Sequence, residues 1–437
     1  MTVQARTGSS PRRPARRPHP LRVAAGRAGT GLQQWLARPL TSLHLVLAVF
    51  GLLTLFGLVM VLSASSVEAY VAGRNSYDVF LRQLLFCVPG LAMFWLGLRI
   101  TPVRLRALAP AALVVGVVAL VAVLLVGHEA GGAKSWFRVA GVSLQPSEAV
   151  KVALTLWGAH VLVARHAVMH RWKYALSPVV PVTGVLLVLL VLQPDLGMTI
   201  TLGTVMLALL FFAGAPMRLI AALTGGAIAG AVLLAMTAEY RLARVLSFLG
   251  GDQDTLEAGF QARQALYSLA DGGLFGTGLG GSRAKWNYLP NAHNDFIFAI
   301  IGEELGFVGA FAVLALFATL AYTGLRIAAR TADPWLRIVV ATSTTWLVAQ
   351  AAINIGYVVG LLPVTGLQLP LISSGGTSLV VTMFVFGVLA NAARHEPDAV
   401  AVLRRQRGPR TGPARLLAPP PPEPYRAPVL RTPGRVR

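Results

Sequence analysis

One carboxylate stands where a polar stretch of the chain runs into a long apolar segment. Asp295 follows the polar residues 288–294 and directly precedes the apolar run that starts at Phe296. A carboxylate that is partly removed from water is a stronger base, and proton abstraction from a hydroxyl requires a positioned base. Asp295 is therefore the candidate catalytic base, with a helix N-cap as the alternative interpretation.

Two further acids, Glu303 and Glu304, lie on the same apolar segment, the nearer one eight residues after Asp295. Eight residues of α-helix cover about 12 Å, whereas the two carboxylates of a glycosidase stand roughly 5–9.5 Å apart. The spacing predicts that Asp295 works as a lone base. It gives Glu303 and Glu304 supporting roles, bonded to neighbouring helices.

Basic side chains suited to phosphate precede Asp295 in a long polar segment, residues 238–293. They include Arg241, Arg244 and Lys285, and guanidinium and ammonium groups bind phosphate oxygens well. The alternative is a set of charges that face solvent or lipid headgroups. The glycine run 276–281 matches G-x-G-x-x-G, but no strand precedes it, so it predicts a tight turn that a substrate can approach closely rather than a dinucleotide site.

An earlier cluster combines a proline with two opposite charges. Pro146 suits the first turn of a helix, and Glu148 and Lys151 then lie three residues apart on one helix face. With Gln145 beside them, they predict either a functional group that supports chemistry or a structural ion pair. Such a pair lets both charges enter a membrane.

Two breaks interrupt otherwise apolar parts of the chain. Asp195 follows Pro194 between two apolar runs, where it either caps the next helix or takes part in chemistry directly. Residues 354–378 are rich in glycine, proline and hydroxyl side chains. That composition predicts a broken helix and a re-entrant loop that lines a cavity, with a plain turn as the alternative.

The elements that must position these residues are membrane helices. Of 437 residues, 55% are hydrophobic and 13% are charged, against about 25% charged in a soluble domain. Ten apolar stretches are long enough to cross a bilayer, and they must be helical because backbone groups in lipid bond within the segment. The stretches lie near 43–64, 79–98, 108–127, 147–166, 177–192, 196–214, 219–237, 294–325, 336–362 and 375–393. The predicted fold is an all-α integral membrane protein of about ten transmembrane helices with a large extracytoplasmic loop, 238–293.

The net charge of +21 is concentrated in two tails that flank a membrane domain, residues 43–393. Residues 1–42 hold eight Arg and no acid, and residues 394–437 hold ten Arg and three acids. Both tails are rich in Pro, Gly and Arg, which predicts disorder. The connections on the same side as the tails carry a further set of basic residues, and the positive-inside rule makes that side cytoplasmic. The set is Arg99, Arg104, Arg106, Arg165, Arg171, Lys173, Arg218, Arg326 and Arg330. The charge therefore favours contact with anionic membrane lipid over binding to nucleic acid.

Five short motifs, in this order along the chain, resemble those of the SEDS (shape, elongation, division and sporulation) family of cell-wall polymerases. They are Gln145-Pro146-Ser147-Glu148 with Lys151, Gln193-Pro194-Asp195-Leu196-Gly197, Leu289-Pro290 through His293 to Asp295-Phe296-Ile297-Phe298-Ala299, Gly302-Glu303-Glu304-Leu305-Gly306, and Gly360-Leu361-Leu362-Pro363-Val364-Thr365-Gly366 through Ser373 to Gly375-Gly376. Gly302 before the two glutamates resembles the division members more than the elongation members. The chain departs from the usual family pattern at Asn291, Asn294 and Ser374, and Asn291 removes a carboxylate from the neighbourhood of Asp295.

The resemblance implies an inverting peptidoglycan glycosyltransferase that polymerises lipid II from a polyprenyl-diphosphate donor. It implies Asp295 as the base and a substrate- and diphosphate-binding set made of Arg241, Arg244, Lys285, Lys134, Ser282 and His293. Gln145, Glu148, Lys151, Asp195, Glu303 and Glu304 would support them. A divalent cation, Mg²⁺ or Mn²⁺, assists other diphosphate chemistry, but the sequence shows no ligand set, and the single cysteine, Cys87, excludes a multi-cysteine site.

The resemblance also implies partners and a place in the cell. The partners are lipid II, the nascent glycan strand, a class B penicillin-binding protein that acts as a transpeptidase, and division proteins. The place is the bacterial plasma membrane at the division septum, with both termini cytoplasmic. Three alternatives stay open: an elongation polymerase, a lipid II flippase that needs no catalytic base, and a scaffold that only recruits a partner.

Overall fold

The structure, a computed structural model, describes most of the membrane domain. The described residues are 36–71, 73, 75–130, 132–139, 142–165, 178–236, 258–283, 285 and 292–405, with the isolated residues 34, 169, 176 and 422. Arg241, Arg244, Asn291 and most of the two predicted tails lie outside them.

Within these ranges, ten apolar helices coincide with the ten predicted apolar stretches. They are α1 (Thr41–Val71), α2 (Asp78–Arg99), α3 (Pro102–Val126), α4 (Pro146–Ala164), α5 (Val179–Leu192), α6 (Leu196–Phe212), α7 (Met217–Met236), α9 (Ile297–Arg330), α10 (Pro334–Val358) and α11 (Gly376–Arg394). Two polar helices, α8 (Ala258–Gly272) and α12 (Pro397–Arg405), complete the described set. Seven helices, α1–α4 and α9–α11, are long and apolar enough to cross a membrane, and the apolar parts of α5, α6 and α7 are shorter.

Several of these helices begin with residues that are favoured at helix N-termini, Pro in the first turn or Asp at the N-cap. Pro146 occupies the first turn of α4, as predicted. Asp195 is the N-cap of α6, and its side chain accepts a hydrogen bond from the Met198 N–H at 3.0 Å. Asp333 does the same for α10, accepting from the Trp335 N–H at 2.9 Å. The capping interpretation of Asp195 is therefore confirmed.

A small β-sheet joins α3 to α4, so the fold is not purely helical in this connection. The strands are β1 (His128–Ala130), β2 (Ala133–Val139) and β3 (Val142–Leu144), all antiparallel in the order β1-β2-β3. Two of the three strands are only three residues long, too short to show the alternation of apolar and polar residues by which strands are identified in a sequence.

Helices α10 and α11 form the centre of the bundle. Trp335, Trp346 and Tyr357 are fully buried on α10. Helix α11 lies against α2 so closely that a Cβ atom at Gly387 would stand 2.2 Å from the Phe94 carbonyl oxygen. Small residues permit such approach between membrane helices, where van der Waals contact replaces the hydrophobic effect as the force of association.

The two ends of the described chain meet at one end of α9, which we call the inner end. An Arg326 guanidinium nitrogen donates to the Leu36 carbonyl, and Arg330 lies 3.6 Å from a carboxylate oxygen of buried Glu396. Helix α12 follows Glu396 and corrects the predicted tail boundary, because the segment predicted as disordered from residue 394 is helical from Pro397 to Arg405. The opposite end of the bundle is called the outer end, and its extracytoplasmic orientation stays a prediction.

Candidate active site

Asp295 lies at the outer end, in the turn 292–296 that leads into α9. Its side chain is half-buried. The N-cap of α9 is Phe296, which makes no side-chain capping bond, so the N-cap role considered for Asp295 is not observed.

The backbone of Asp295 is held by two fully buried side chains of α10. The Asn354 amide nitrogen lies 2.9 Å from the Asp295 carbonyl oxygen and 2.6 Å from the Leu367 carbonyl oxygen. The Tyr357 hydroxyl lies 2.8 Å from each of the same two oxygens. We call Asn354 and Tyr357 the carbonyl clamp, because they tie the segment that carries the candidate base to a second segment of the chain.

That second segment is the re-entrant loop, residues 359–375. It has no helix or strand, and yet Leu367, Leu369 and Ile372 are buried, as the prediction of a broken helix requires. A Cβ atom at Gly366 would stand 3.6 Å from a carboxylate oxygen of Asp295, so the candidate base lies next to this loop. Irregular backbone at such depth is tolerated where protein surrounds it or where it lines a cavity.

The predicted substrate residue His293 belongs to the same contact. Its carbonyl oxygen accepts a hydrogen bond from the Ser374 N–H at 3.0 Å. Gln83 of α2 holds the loop from the other side, donating to the Ser373 carbonyl at 3.3 Å and accepting from the Gly375 N–H at 3.2 Å. The structure therefore brings His293 next to Asp295 and the loop.

A second polar cluster lies under the other side of the re-entrant loop. Lys151 and Glu148 form an ion pair of 3.0 Å with both side chains fully buried, as predicted from their spacing. Lys151 also donates to the Gln350 side-chain oxygen at 3.2 Å and lies over the Trp346 ring, 4.7 Å from its centroid. Gln350 in turn donates to the Gln368 carbonyl of the re-entrant loop at 2.9 Å. The ion pair is thus linked to the loop beside Asp295.

Asp195 joins this cluster through Gln145. The Gln145 amide donates to one carboxylate oxygen of Asp195 at 2.9 Å, while the other oxygen caps α6. Burial raises the pKa of Asp195, and its hydrogen bonds from Met198 and Gln145 act in the opposite direction. A Cβ atom at Gly197 would stand 2.8 Å from the Thr365 carbonyl oxygen, so the start of α6 rests directly on the re-entrant loop.

Glu304 bonds to a neighbouring helix, as predicted, whereas Glu303 bonds to the loop that follows α8. The Ser63 hydroxyl of α1 lies 2.8 and 2.6 Å from the two carboxylate oxygens of Glu304. Glu303 accepts from the Ser282 hydroxyl at 2.7 Å and from the Arg283 N–H at 2.5 Å. Neither carboxylate is directed at Asp295 by these bonds.

Two members of the predicted substrate- and diphosphate-binding set, Lys285 and Ser282, have partners within the protein. Lys285 is buried and pairs with Glu304 at 3.1 Å while donating to the Gly280 carbonyl at 2.6 Å. Ser282 is buried and donates to Glu303. Their polar atoms are occupied because a buried ammonium or hydroxyl group requires partners. The contacts assign Lys285 and Ser282 to holding the loop against α9.

The glycine run makes close contacts within the protein. Gly306 breaks the regular geometry of α9 with φ 67° and ψ −165°. A Cβ atom there would stand 2.4 Å from the Gly276 nitrogen, and one at Gly276 would stand 2.2 Å from the Glu304 carbonyl oxygen. The loop backbone therefore docks on a kink in α9, which only glycine at these positions permits.

Of the remaining basic residues predicted to bind diphosphate, the structure describes only Lys134. Lys134 lies on β2 at the outer end and donates to the Leu125 carbonyl at 3.1 Å. Arg241 and Arg244 lie outside the described residues. Across the described ranges, no group of three or more His, Cys, Asp or Glu side chains is placed to hold a metal ion.

Sequence reasoning missed the side chains that connect these clusters. Tyr357, Trp346 and Gln350 on α10, and Ser63 on α1, were not identified as site residues. A signal was present, since amide and hydroxyl side chains inside an apolar span are costly unless they have a role. Asn354, Gln350 and Tyr357 recur at helical spacing on one face of α10, which places them together.

Comparison with known sequences gives a consistent result. The family described as cell cycle proteins of the FtsW/RodA/SpoVE type matches residues 43–398. The probable peptidoglycan glycosyltransferase FtsW of Mycobacterium tuberculosis is 51% identical over 408 residues, covering 93% of this chain and 78% of that protein. Stage V sporulation protein E of Bacillus subtilis is 38% identical over 359 residues, covering 81% of this chain and 98% of that protein.

Solved structures show the same fold. A chain from a study of how a peptidoglycan synthase complex coordinates polymerization and crosslinking aligns with a TM-score of 0.65 at 28% identity, covering 83% of this chain and 99% of that one. The rod shape determining protein RodA of Thermus thermophilus aligns with a TM-score of 0.60 at 27% identity over the same shares. With a family match over most of its length, this multi-pass membrane protein belongs to the FtsW/RodA/SpoVE family, the SEDS family that its motifs predicted.

Proposed function

We propose that this protein is a peptidoglycan glycosyltransferase that polymerises lipid II into glycan strands during cell division. The observation that carries the proposal is the position of Asp295. Its carboxylate is half-buried at the outer end of a membrane bundle, and its backbone carbonyl is fixed by the carbonyl clamp. The high sequence identity of this chain to proteins named as probable peptidoglycan glycosyltransferases FtsW supports a role in division over one in elongation.

The proposed reaction is a single displacement at a sugar carbon. The 4-hydroxyl oxygen of the GlcNAc of lipid II attacks the anomeric carbon of the growing strand, and a new glycosidic C–O bond forms. The bond between that carbon and the diphosphate oxygen breaks, and polyprenyl diphosphate leaves with the electron pair. Asp295 accepts the hydroxyl proton. Attack on the face opposite the leaving group inverts the configuration.

The contacts of the other acids support Asp295 as a lone base. Glu303 and Glu304 are fully buried and bonded to the loop 273–285 and to Ser63. Glu148 is paired with Lys151, and Asp195 is engaged by Gln145 and the α6 backbone. A retaining mechanism needs a second free carboxylate about 5 Å from the first. We assign none of these four acids to that role.

The leaving diphosphate requires positive charge at the outer end. Lys134 on β2 is the described candidate, and Arg241 and Arg244 are the proposed partners from the long loop. Lys285 contributes indirectly in this scheme, since its ammonium group neutralises buried Glu304. An apolar groove between helices would hold the polyprenyl tail.

We further propose that the protein acts in the plasma membrane at the division septum with a class B penicillin-binding protein. The structural likeness to a chain of a peptidoglycan synthase complex supports a partner that crosslinks the strands. Both termini would face the cytoplasm, and the meeting of the two described chain ends at the inner end of α9 supports that arrangement.

The decisive experiment is polymerisation of purified lipid II by the full-length protein with its transpeptidase partner. We expect Asp295→Asn to lower the rate of strand formation by about 10²- to 10⁴-fold, the usual contribution of a positioned base. Asp333→Asn is the matched control: it makes the same change at the other end of the bundle, and Asn caps a helix as well as Asp.

Two results would count against the proposal. Strand formation at the wild-type rate by Asp295→Asn, with thermal unfolding unchanged, would remove Asp295 as the base. Transport of lipid II across the bilayer by the wild type and by Asp295→Asn, without strands from either, would replace the polymerase by a flippase.

A further inference from the structure

A short apolar loop projects from the outer end beside α9. Residues 273–281 link α8 to Ser282, and the chain carries no charge between Asp271 and Arg283. Leu274, Phe275 and Leu279 are all exposed, and Phe275 exposes 81% of its surface. A loop in water normally presents polar side chains, so three exposed apolar side chains in one short loop indicate contact with an apolar environment.

Backbone hydrogen bonds fix the depth of this loop relative to the membrane. The Phe307 N–H donates to the Gly273 carbonyl at 2.9 Å, and the Val308 N–H donates to the Leu274 carbonyl at 3.2 Å. The α9 segment between Glu304 and Arg326 carries no charge. From Phe307 to Arg326 the helix rises about 29 Å, close to the ~30 Å thickness of the bilayer's hydrocarbon core. Phe307, and with it Leu274, therefore lies at the outer boundary of the hydrocarbon.

Five of the nine backbone N–H groups of the loop are bonded within the protein, among them that of Gly273 to the Ala270 carbonyl at 3.3 Å. The Thr277 N–H donates to the Glu303 carbonyl at 2.9 Å, and the Gly278 N–H donates to the Glu304 carbonyl at 3.0 Å. The Gly276 N–H donates to the carbonyl of Gly272 at the end of α8, and the Gly281 N–H donates to the Gly278 carbonyl within the loop. Irregular backbone does not face lipid within the hydrocarbon itself, so the loop backbone must stay at the boundary, where headgroups and water can bond its remaining polar groups, while its apolar side chains reach inward.

The exposed face of α9 next to the loop is apolar as well. Phe307, Val308 and Phe311 are exposed at the outer end of a membrane-spanning helix. The loop extends this lipid-facing surface sideways without a polar break.

We propose that residues 273–281 form an outer-leaflet anchor, in which Leu274, Phe275 and Leu279 insert into the outer leaflet of the membrane. The anchor holds the loop at the depth at which it docks on Glu303 and Glu304. It thereby sets the height of the turn that carries Asp295. The anchor concerns only the depth of residues 273–281 in the bilayer, so it does not depend on whether the protein polymerises lipid II.

Spin-label accessibility tests the anchor directly. In a Cys87→Ala background, the full-length protein is labelled at Phe275→Cys and, as a matched control, at Asp271→Cys. Asp271 is also exposed, at the end of α8, and carries a charge. The proteins are placed in nanodiscs of phosphatidylethanolamine and phosphatidylglycerol. Relaxation by oxygen, which concentrates in lipid, is compared with relaxation by a water-soluble nickel chelate.

We expect the label at residue 275 to be relaxed by oxygen and at least tenfold less than the control by the nickel chelate. Equal access of the chelate to both positions would place the loop in water and overturn the proposal. Shielding of residue 275 from both reagents would also overturn it, because the loop would then be covered by protein. Unchanged thermal unfolding of both labelled variants establishes that the fold is intact.

Discussion

The Tyr357 hydroxyl lies 2.8 Å from the backbone carbonyl oxygen of Asp295 and 2.8 Å from that of Leu367. The Asn354 amide reaches the same two oxygens. The clamp has three protons to donate, two from the amide and one from the hydroxyl. Both segments are otherwise irregular, so the distance between the candidate base and the re-entrant loop depends on these two side chains.

The first prediction concerns the two members of the clamp. Tyr357→Phe removes one donor, and we expect it to lower kcat for strand formation by about two- to tenfold, the equivalent of one hydrogen bond. Asn354→Leu removes two donors and leaves a buried carbonyl unpaired, so its loss of kcat should be larger. KM for lipid II should change little, because the clamp positions the base and does not bind substrate.

Tyr322→Phe is the control for this prediction, since Tyr322 is exposed on α9 far from the clamp. Lipid II polymerisation and thermal unfolding are measured on all three variants. A purely structural role would lower the unfolding temperature of Tyr357→Phe while leaving its kcat equal to that of Tyr322→Phe, and this result would contradict positioning.

The membrane helices and the local ion pairs followed from the sequence because their causes are local. Length and apolar composition predicted all ten helices, and the three-residue spacing of Glu148 and Lys151 predicted their pair. The cap formed by Asp195 is also a short-range effect. The pair and the cap each depend on residues within one helical turn, and each helix depends on one continuous stretch of about 20 residues.

The contacts that join distant parts of the chain could not be predicted in the same way. Nothing near Lys285 in the sequence indicates that its partner is Glu304, and only the docking of the loop on the α9 kink brings them together. The carbonyl clamp joins α10 to two backbone oxygens, which carry no residue-specific signal. Such contacts arise from the packing of whole helices, which a single sequence does not reveal.

The second prediction concerns the buried ion pair. Lys151→Met leaves Glu148 buried without its cation and should lower the free energy of unfolding by about 3–5 kcal/mol. The double variant Glu148→Gln/Lys151→Met removes both charges and should regain most of that loss. Thermal unfolding of the two single variants and the double variant in detergent measures the coupling. Additive losses in the double variant would show that the two charges act independently.

The third prediction concerns the glycine contact between α9 and the loop. Gly306 has φ 67°, and a Cβ atom there would stand 2.4 Å from the Gly276 nitrogen and 2.5 Å from the Leu274 carbonyl oxygen. Gly306→Ala should therefore undock the loop and speed amide hydrogen exchange of residues 273–281. Gly51→Ala is the control: Gly51 lies in α1 with open space around it, and Ala is favoured there by up to ~1 kcal/mol. Equal exchange in both variants would contradict the docking contact.

The fourth prediction concerns pH and the inner end. Burial raises the pKa of Glu396, against the opposing effect of Arg330 and Arg326. A raised pKa in the folded state means that the contribution of Glu396 to stability is complete below its unfolded value, about 4.3. That contribution is lost as the pH rises through the folded value. Glu396→Gln cannot ionise and should avoid this loss.

The measurement is the unfolding temperature of wild type and Glu396→Gln between pH 4 and pH 8. The variant should gain relative to wild type as the pH rises, because only the wild type must then hold a buried carboxylate. Glu129→Gln, a substitution of an exposed acid on β1, should show no comparable gain. The difference in unfolding temperature between Glu396→Gln and wild type could instead stay constant or reverse with pH. That result would mean that Arg330 fully compensates the Glu396 charge, so that the ion pair itself holds the junction between α9 and α12.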